Sequence, residues 1–262
     1  MHTIVLATQK GGSGKSTLAI GLALAAQQAG HTVRLIETDP QATAWNWQRR
    51  RGQGESLVER VYDANDIEQS LASFRSQGVT LTFIDTASGL SAATTAAIRH
   101  ADLCLIPARP SVADIEATAA TLVVVRAWKT SFAYVLNQTP IRGQRINNAA
   151  NTLGEEAALD LADVLARPFI VMRNDHQDAL ASGLAVSEYA PSGKSADEIR
   201  GLWHWAERRL NGETNVSDEL GSGLAEVEFP IVLAPTVTIA PTAQVQPQSA
   251  WAESIPSWDS GL

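Results

Sequence analysis

The chain has 262 residues, 45% of them apolar, and a formal net charge of -8, a length that suits one main domain with a substantial core. The single cysteine, Cys104, stands in an apolar run, which excludes a disulfide framework, a structural zinc and an iron–sulfur cluster. No basic stretch precedes a long apolar region at the N-terminus and no run of about 18 apolar residues occurs, so we expect a cytoplasmic protein without a membrane span.

The charges are distributed unevenly along the chain. Residues 211–262 hold seven acidic side chains and no Lys or Arg, so residues 1–210 carry 20 basic and 21 acidic side chains. The main domain is therefore nearly neutral and has room for a local basic face. Residues 212–262 form an acidic, Pro-rich tail that we expect to be disordered, and a segment that docks on a partner is the alternative.

Apolar segments with strand character alternate with helical segments through residues 1–211, the predicted domain. The predicted strands are 4–7, 33–36, 81–84, 103–106, 132–136 and 168–172. The predicted helices are 16–29, 42–51, 65–76, 90–99, 112–128, 175–182 and 195–210. This alternation predicts an α/β fold, a doubly wound and mostly parallel sheet with helices on both faces. On the last helix we expect one of Trp203 and Trp205 to be buried and the other to lie at an edge.

A glycine-rich loop follows the first strand and leads into the first helix, in the segment Lys10-Gly11-Gly12-Ser13-Gly14-Lys15-Ser16-Thr17. Such a loop lets backbone N–H groups converge on phosphate oxygens at the positive end of the helix. Lys15 then supplies charge to the β- and γ-phosphates of ATP, the Ser16 hydroxyl binds Mg²⁺, and Thr17 reaches an α-phosphate oxygen. Gln9 stands where the strict P-loop pattern has its first glycine.

Two later strands end in carboxylates. Glu37-Thr38-Asp39-Pro40-Gln41 follows the second strand, and Phe83-Ile84-Asp85-Thr86 closes the third. An Asp at the carboxyl end of a parallel strand beside a P-loop is the Walker B pattern, so Asp85 is predicted to hold Mg²⁺ directly or through water. Asp39 is also a candidate N-cap for the helix that follows it.

Together these segments resemble the ParA/MinD family of deviant Walker A P-loop ATPases, over residues 3–210. The likeness is closest to small ParA-type plasmid partition ATPases that lack an N-terminal DNA-reading domain. The resemblance implies that Lys10 reaches across a dimer interface to the phosphates of the partner's ATP and that Asp39 positions the attacking water. Two positions depart from the family pattern: Glu37 replaces the usual first Asp, and Ala87-Ser88-Gly89 replaces a common Pro after the Walker B strand.

The resemblance extends to two further segments. Residues 105–114, with the turn Pro107-Ala108-Arg109-Pro110-Ser111 and then Asp114, match the part of the family that lies at the dimer face. Asn137, at the end of its strand, matches the position that contacts adenine, and a simple turn-forming asparagine is the alternative.

The function implied by the resemblance is a slow, Mg²⁺-dependent and partner-stimulated ATPase that forms an ATP-bridged homodimer. In its ATP state it would bind double-stranded DNA without sequence preference, associate with the bacterial nucleoid, and segregate a plasmid or chromosome with a ParB-type or other adaptor protein. DNA binding of this kind needs basic contacts to phosphates. For each candidate arginine an ordinary solvated role stays open; the candidates are Arg142, Arg145, Arg167, Arg173, Arg200, Arg208 and Arg209.

Other cargoes and chemistries compete with this interpretation. A conjugation complex, a chemosensory cluster or a carboxysome could be the cargo. A MinD-like membrane-cycling ATPase would need a basic amphipathic helix at the C-terminus, where this chain is acidic, so no membrane partner is predicted. The five histidines have no metal-ligand spacing and no G-x-S-x-G elbow occurs, which excludes zinc and serine hydrolases. We expect His100 and His176 to be ordinary solvated histidines, and a role in surface contacts is the alternative.

Overall fold

The computed structural model describes residues 1–52, 56–157 and 164–213. The predicted tail therefore lies outside the described residues, apart from its first two. The strands are β1 His2–Leu6, β2 Val33–Glu37, β3 Val58–Arg60, β4 Leu81–Asp85, β5 Leu103–Ala108 and β6 Phe132–Leu136. The helices are α1 Lys15–Gln28, α2 Thr43–Arg51, α3 Ala64–Ser76, α4 Ala92–Arg99, α5 Val112–Glu116, α6 Thr118–Trp128, α7 Gln144–Ala157, α8 Asp175–Ala181, α9 Val186–Tyr189 and α10 Lys194–Leu210.

The six strands form one sheet in the order β3-β2-β4-β1-β5-β6, and every strand pair is parallel. Neighbouring residues of β1 point to opposite faces, so that Ile4 and Leu6 join one core and Val5 joins the other. The first core is covered by α1, α2, α8, α9 and α10, and the second by α3 to α7. Because both faces of the sheet are buried, most strand positions are apolar, and the predicted doubly wound α/β fold is confirmed.

The strand register brings the predicted site residues to one edge of the sheet. Asp85 pairs with Leu6 of β1 on one side and with Glu37 of β2 on the other. The loops after β1, β2 and β4 therefore leave the sheet next to one another at its carboxyl end. Ligands of open parallel sheets bind at this end, where the polar groups of several strands converge.

Two predicted elements differ in the structure. Residues 168–172 do not form a strand: this segment contributes a single bridge, between Val171 and Thr139. Pro168 has no N–H to donate to a ladder, which prevents regular pairing at its start. The predicted helix 112–128 is two helices, α5 and α6, separated at Ala117. The Thr118 hydroxyl donates to the Ile115 carbonyl oxygen at 2.7 Å, a local bond that competes with continuous helix.

Three elements were not predicted. β3 has only three residues at the sheet edge and α9 only four, so neither gives a periodic signal. The longer omission is α7, whose buried residues include Ala149, Ala150, Leu153 and Ala157. These positions have the three- and four-residue spacing of an amphipathic helix, a signal that was present in the sequence.

The prediction for the two tryptophans of α10 was wrong, because both are buried. Trp203 is 1% exposed and Trp205 is 5% exposed. Helix α10 contacts both α1 and α9 and also lies on the sheet, so it buries a stripe wide enough for both rings. Trp203 packs edge-on against Phe83 of β4 and His31.

Among the described residues, no helix is long and apolar enough to cross a membrane.

Candidate nucleotide-binding site

The glycine-rich loop joins β1 to α1 in a conformation that requires glycine at two positions. Gly12 has φ +76° and Gly14 has φ +91°, both in the left-handed region. A Cβ atom at Gly14 would lie 2.2 Å from Asn137 Nδ2, so a side chain there would collide with the end of β6. The loop therefore combines a left-handed turn with a close approach to a neighbouring strand.

Two side chains that follow β6 bind carbonyl oxygens of this loop. Asn137 Nδ2 donates to the Ser13 carbonyl oxygen at 2.7 Å, and Gln138 Nε2 donates to the Gly12 carbonyl oxygen at 3.0 Å. Asn137 Oδ1 also accepts from the Gln138 backbone N–H, the local bond of a turn-forming asparagine. Asn137 thus holds the loop in place, a role that sequence reasoning missed, and its contact with adenine stays a prediction.

Lys15 lies at the foot of the loop, in the first turn of α1, with only 6% of its surface exposed. Its Nζ donates to Ser88 Oγ at 3.2 Å. Burial lowers the pKa of Lys15, while the carboxylates of Asp85 and Asp39 raise it. A buried ammonium that is bonded to a neutral hydroxyl gains a stronger partner when it meets an anionic phosphate. Ser88 belongs to the segment that departs from the family pattern.

Asp85 is fully buried at the end of β4, and neither carboxylate oxygen makes a hydrogen bond of ordinary geometry with the described residues. Burial raises the pKa of Asp85 to about 7; the Ser16 hydroxyl and Lys15 lower it, and Glu37 raises it. An unpartnered buried carboxylate is costly unless a cation compensates it. Carboxylate and hydroxyl oxygens suit Mg²⁺, so Asp85 and Ser16 fit the predicted metal site.

Glu37, the departure from the family's usual Asp, has a clear structural role. Its side chain is fully buried, and its two carboxylate oxygens accept the backbone N–H groups of Ala44 at 3.0 Å and Trp45 at 2.8 Å. These N–H groups belong to the first turn of α2, so Glu37 caps that helix from the end of β2. Burial raises the pKa of Glu37, and the two backbone bonds lower it.

Asp39 is half-buried in the loop between Glu37 and α2. Its Oδ1 accepts the Gln41 backbone N–H at 2.9 Å, which makes a short local turn. The alternative prediction that Asp39 caps α2 was wrong, because the N-cap position is Ala42 and the first-turn N–H groups of α2 bind Glu37. The Asp39 carboxylate is close enough to Lys15 and Asp85 to affect the pKa values of both. Its role in positioning the attacking water stays a prediction.

Lys10 meets the buried carboxylate of Asp114 beside the loop. Lys10 Nζ lies 2.9 Å from Asp114 Oδ2, and Arg109 Nε lies 2.8 Å from Asp114 Oδ1. Burial raises the pKa of Asp114, but Arg109, Ser111 and Lys10 outweigh it and lower this pKa to about 2. Lys10 keeps about a third of its side chain exposed. These residues line an open cavity of about 620 Å³ with the exposed side chains of Ile141 and Met172.

A cleft next to Gly14 and Thr17 contains a histidine that sequence reasoning treated as solvated. His176, in the first turn of α8, lines this cleft with Asn137. Its Nε2 atom is buried and has no hydrogen-bond partner among the described residues, and burial lowers its pKa. His176 therefore offers a neutral ring to whatever occupies the cleft. The sequence did not indicate this contact, because His176 lies 162 positions after Gly14.

The structure divides the seven arginines proposed for DNA binding. Arg173 is the least available, because its Nη1 lies 2.6 Å from Glu198 Oε2 and both side chains are largely buried. Arg200 pairs with Asp197 on its own helix, and Arg167 stacks on the Phe169 ring. Of the other four candidates, Arg142 lies just before α7 and Arg145 in its first turn, and both are exposed, whereas Arg208 and Arg209 in the last turn of α10 are half-buried.

A parallel sheet with a glycine-rich loop, a buried lysine and an unpartnered carboxylate at its carboxyl edge defines a P-loop nucleotide-binding protein. The chain belongs to the CobQ/CobB/MinD/ParA nucleotide binding domain family, which it matches over residues 4–184. The resemblance drawn from the loop and the two carboxylate segments is thereby confirmed.

Two curated relatives and one solved structure illustrate the likeness. The chain is 29% identical over 206 residues to the Maintenance of carboxysome distribution protein A of Halothiobacillus neapolitanus, covering 75% of this chain and 92% of that protein. It is 30% identical over 129 residues to Protein ParA of Rhizobium radiobacter, covering 48% and 56%. An ATP complex of Cyanothece McdA has the same fold, with a TM-score of 0.63 and 18% identity over 83% of this chain and 98% of that one.

Proposed function

We propose that this chain is a Mg²⁺-dependent ATPase that dimerises around ATP, binds DNA without sequence preference in that state, and partitions a plasmid or chromosome with a ParB-type adaptor protein. The observation that carries the proposal is Lys10, a second lysine that stands at the surface beside the P-loop. Its partner Asp114 ends the segment assigned to the dimer face. A lysine in this place serves a phosphate that arrives with a second protomer.

The chemistry proposed for each residue follows from charge and position. Lys15 and the N–H groups of Gly11, Gly12, Ser13 and Gly14 hold the β- and γ-phosphates, and Thr17 reaches the α-phosphate. Ser16 and Asp85 hold Mg²⁺, which neutralises phosphate charge when bound. Asp39 orients the attacking water, and Lys10 adds positive charge from the partner protomer. Phosphoryl transfer of this kind depends on placement and electrostatics and needs no strong base.

DNA binding is proposed chiefly through the exposed Arg142 and Arg145, with the half-buried Arg208 and Arg209 as further candidates. Such contacts neutralise backbone phosphates, so affinity falls as salt rises. The domain through residue 210 is nearly neutral, which permits a local basic face although the whole chain is acidic. We place this activity at the nucleoid in a bacterial cytoplasm.

The test is binding to random-sequence duplex DNA with ATP, with ADP and without nucleotide, each across a salt series. Because Asp39→Ala should bind ATP without hydrolysing it, this variant keeps the protein in its ATP-bound state during the measurement. Tight binding with ATP alone, weakening steeply with salt, is the expected result. Replacing one contacting arginine by Ala should reduce the slope of log affinity against log salt by about 1. Arg75→Ala, on α3 and outside the proposed set, is the matched control. Absence of DNA binding in all three states would overturn the DNA-based function.

A second candidate function is the positioning of carboxysomes, which the similarity to the carboxysome distribution protein favours. The two functions differ in the adaptor that stimulates hydrolysis. ATP turnover measured with DNA and each candidate adaptor separates them: stimulation by a ParB-type DNA-binding protein supports partition, and stimulation by a carboxysome-bound protein supports the second candidate.

A further inference from the structure

We infer that Glu37 is a positioning residue for ATP hydrolysis: by fastening the first turn of α2 to the end of β2, it fixes the loop that carries Asp39. The inference rests on the proposed role of Asp39 in orienting water. It assigns a function to the position where this chain departs from the family's usual Asp. The observations that carry it are the two backbone hydrogen bonds of Glu37, its burial, and the conformation of the loop between them.

Glu37 closes a short ring of protein around Asp39. Only residues 38–43 separate Glu37 from Ala44, the first N–H that it binds. Oε1 of Glu37 accepts the Ala44 N–H, and Oε2 accepts the Trp45 N–H at 2.8 Å, so both carboxylate oxygens are engaged. Charged acceptors at a helix N-terminus are favourable because they satisfy unpaired N–H groups at the positive end of the helix dipole.

The loop inside this ring is constrained at both ends. The Thr38 N–H donates to the Asp85 carbonyl oxygen at 2.9 Å, which ties the start of the loop to the Walker B strand. At the other end Ala42 has φ +53°, a left-handed conformation that is strained for a residue with a Cβ. Ala42 has no side-chain acceptor to cap α2, so Glu37 supplies the cap and helps to hold Ala42 in this conformation.

The length of the Glu37 side chain matters for this role. An Asp at the same place would be shorter by one methylene, about 1.5 Å, and could not keep both bonds unless the loop or the helix moved. A Gln has the same length but presents an NH₂ group to one of two backbone donors, so one N–H in a buried place loses its acceptor. Both changes should therefore loosen the placement of Asp39.

The experiment compares ATP hydrolysis, ATP affinity and Mg²⁺ dependence of the full chain and its variants. We expect Glu37→Gln to lower kcat about tenfold, the effect of losing about 1.4 kcal/mol of transition-state stabilisation, while the Kd for ATP changes little. Glu37→Asp should also lower kcat, although it introduces the family's usual residue. Asp63→Asn is the matched control, because Asp63 caps α3 through the Asn65 N–H and has no place in the site; its kcat should equal that of the unchanged chain.

A double-variant cycle tests whether Glu37 acts through Asp39. In the Asp39→Ala background, Glu37→Gln should cause no further loss of rate. An equal further loss in that background would overturn the inference, as would unchanged kcat in both Glu37 variants. A shift in the Mg²⁺ concentration for half-maximal rate, with kcat intact, would make Glu37 a metal-site residue and also overturn it.

Failure of the proposed function gives a different result. If Asp39→Ala alone hydrolyses ATP at the full rate, the role of Asp39 is wrong, whatever the Glu37 variants do. Thermal unfolding of each variant provides the folding control. If Glu37→Gln does not fold, Glu37→Asp, which keeps the charge, takes its place in the cycle and is judged by the same outcomes.

Discussion

At the scale of single residues, the site depends on a few atoms whose partners are far away in sequence. The loop from residue 10 to 17 is recognisable by itself, but its conformation is held by Asn137 and Gln138 from the end of β6. The burial of Asp85 at the end of β4, and that of Lys15 beside Ser88, likewise depend on neighbours from other elements. The identity of each residue indicated its chemical role, and the neighbouring residues set its burial and its hydrogen bonds.

Gly14 offers the sharpest test at this scale. Gly14→Ala should abolish detectable ATP binding and lower the free energy of unfolding by about 1–3 kcal/mol, because φ is +91° and the new Cβ would displace Asn137. The measurements are ATP titration and denaturant unfolding.

Gly12→Ala is the matched control for this prediction. Gly12 also has a left-handed φ, but its Cβ would meet nothing within 4 Å. The Gly12→Ala variant should therefore have a free energy of unfolding lower by about 1 kcal/mol, from backbone strain alone. Equal losses in the two variants would show that the contact between Gly14 and Asn137 is easily relieved.

At the scale of elements, α2 is fastened at both ends. Its first turn binds Glu37, and its second half binds α8, α9 and the residues between them. Arg51 Nη1 and Nη2 donate to the two carboxylate oxygens of Glu188 at 2.7 and 2.6 Å. Trp47 Nε1 donates to the Leu184 carbonyl oxygen, and Arg50 to that of Leu180. The helix next to Asp39 is thus connected directly to the C-terminal helices.

The ion pair of Arg51 should make a measurable contribution to stability. We expect Arg51→Met to lower the free energy of unfolding by about 1 kcal/mol, since the pair is bidentate and partly buried. Arg49→Met, at an exposed position of the same helix, should change stability by less than about 0.5 kcal/mol. Denaturant unfolding of both variants checks the prediction, and equal effects would mean that the ion pair adds nothing beyond side-chain packing.

At the scale of the whole molecule, the proposed dimer requires Lys10 to exchange partners. In the structure Lys10 pairs with Asp114 of its own chain, whereas the proposal has it contact a phosphate in the other protomer. The exposed side chains of Ile141 and Met172 lie around the same cavity, where a second protomer could cover them.

Lys10→Ala should bind ATP yet stay monomeric in the presence of ATP and Mg²⁺. Lys10 lies outside the buried part of the P-loop, so ATP affinity should be retained, while the charge offered to the other protomer is lost. Molar mass measured by light scattering, in the Asp39→Ala background, distinguishes monomer from dimer. Lys129→Ala, at the end of α6, is the control and should dimerise. A Lys10→Ala variant that dimerises and hydrolyses ATP normally would contradict the assignment of Lys10.

The sequence by itself determined the parallel α/β fold, the position of the phosphate loop and the family. Apolar runs between helical segments and a glycine-rich loop after the first strand are local patterns, readable without coordinates. β3 and α9 were not predicted, because they are too short to show periodicity. α7 was not predicted either, although its helical spacing is present in the sequence. A strand was also predicted at residues 168–172, where Pro168 interrupts regular pairing.

Only the tertiary structure decided which side chains support the site. Four contacts join residues from different elements: the cap formed by Glu37 on α2, the pairing of Lys10 with Asp114, the cleft shared by His176 and Gly14, and the ion pair of Arg173 with Glu198. Their physical cause is the folding of the sheet, which brings the carboxyl ends of strands distant in sequence to one edge and sets the burial of each polar group there. Local patterns carry no information about such contacts.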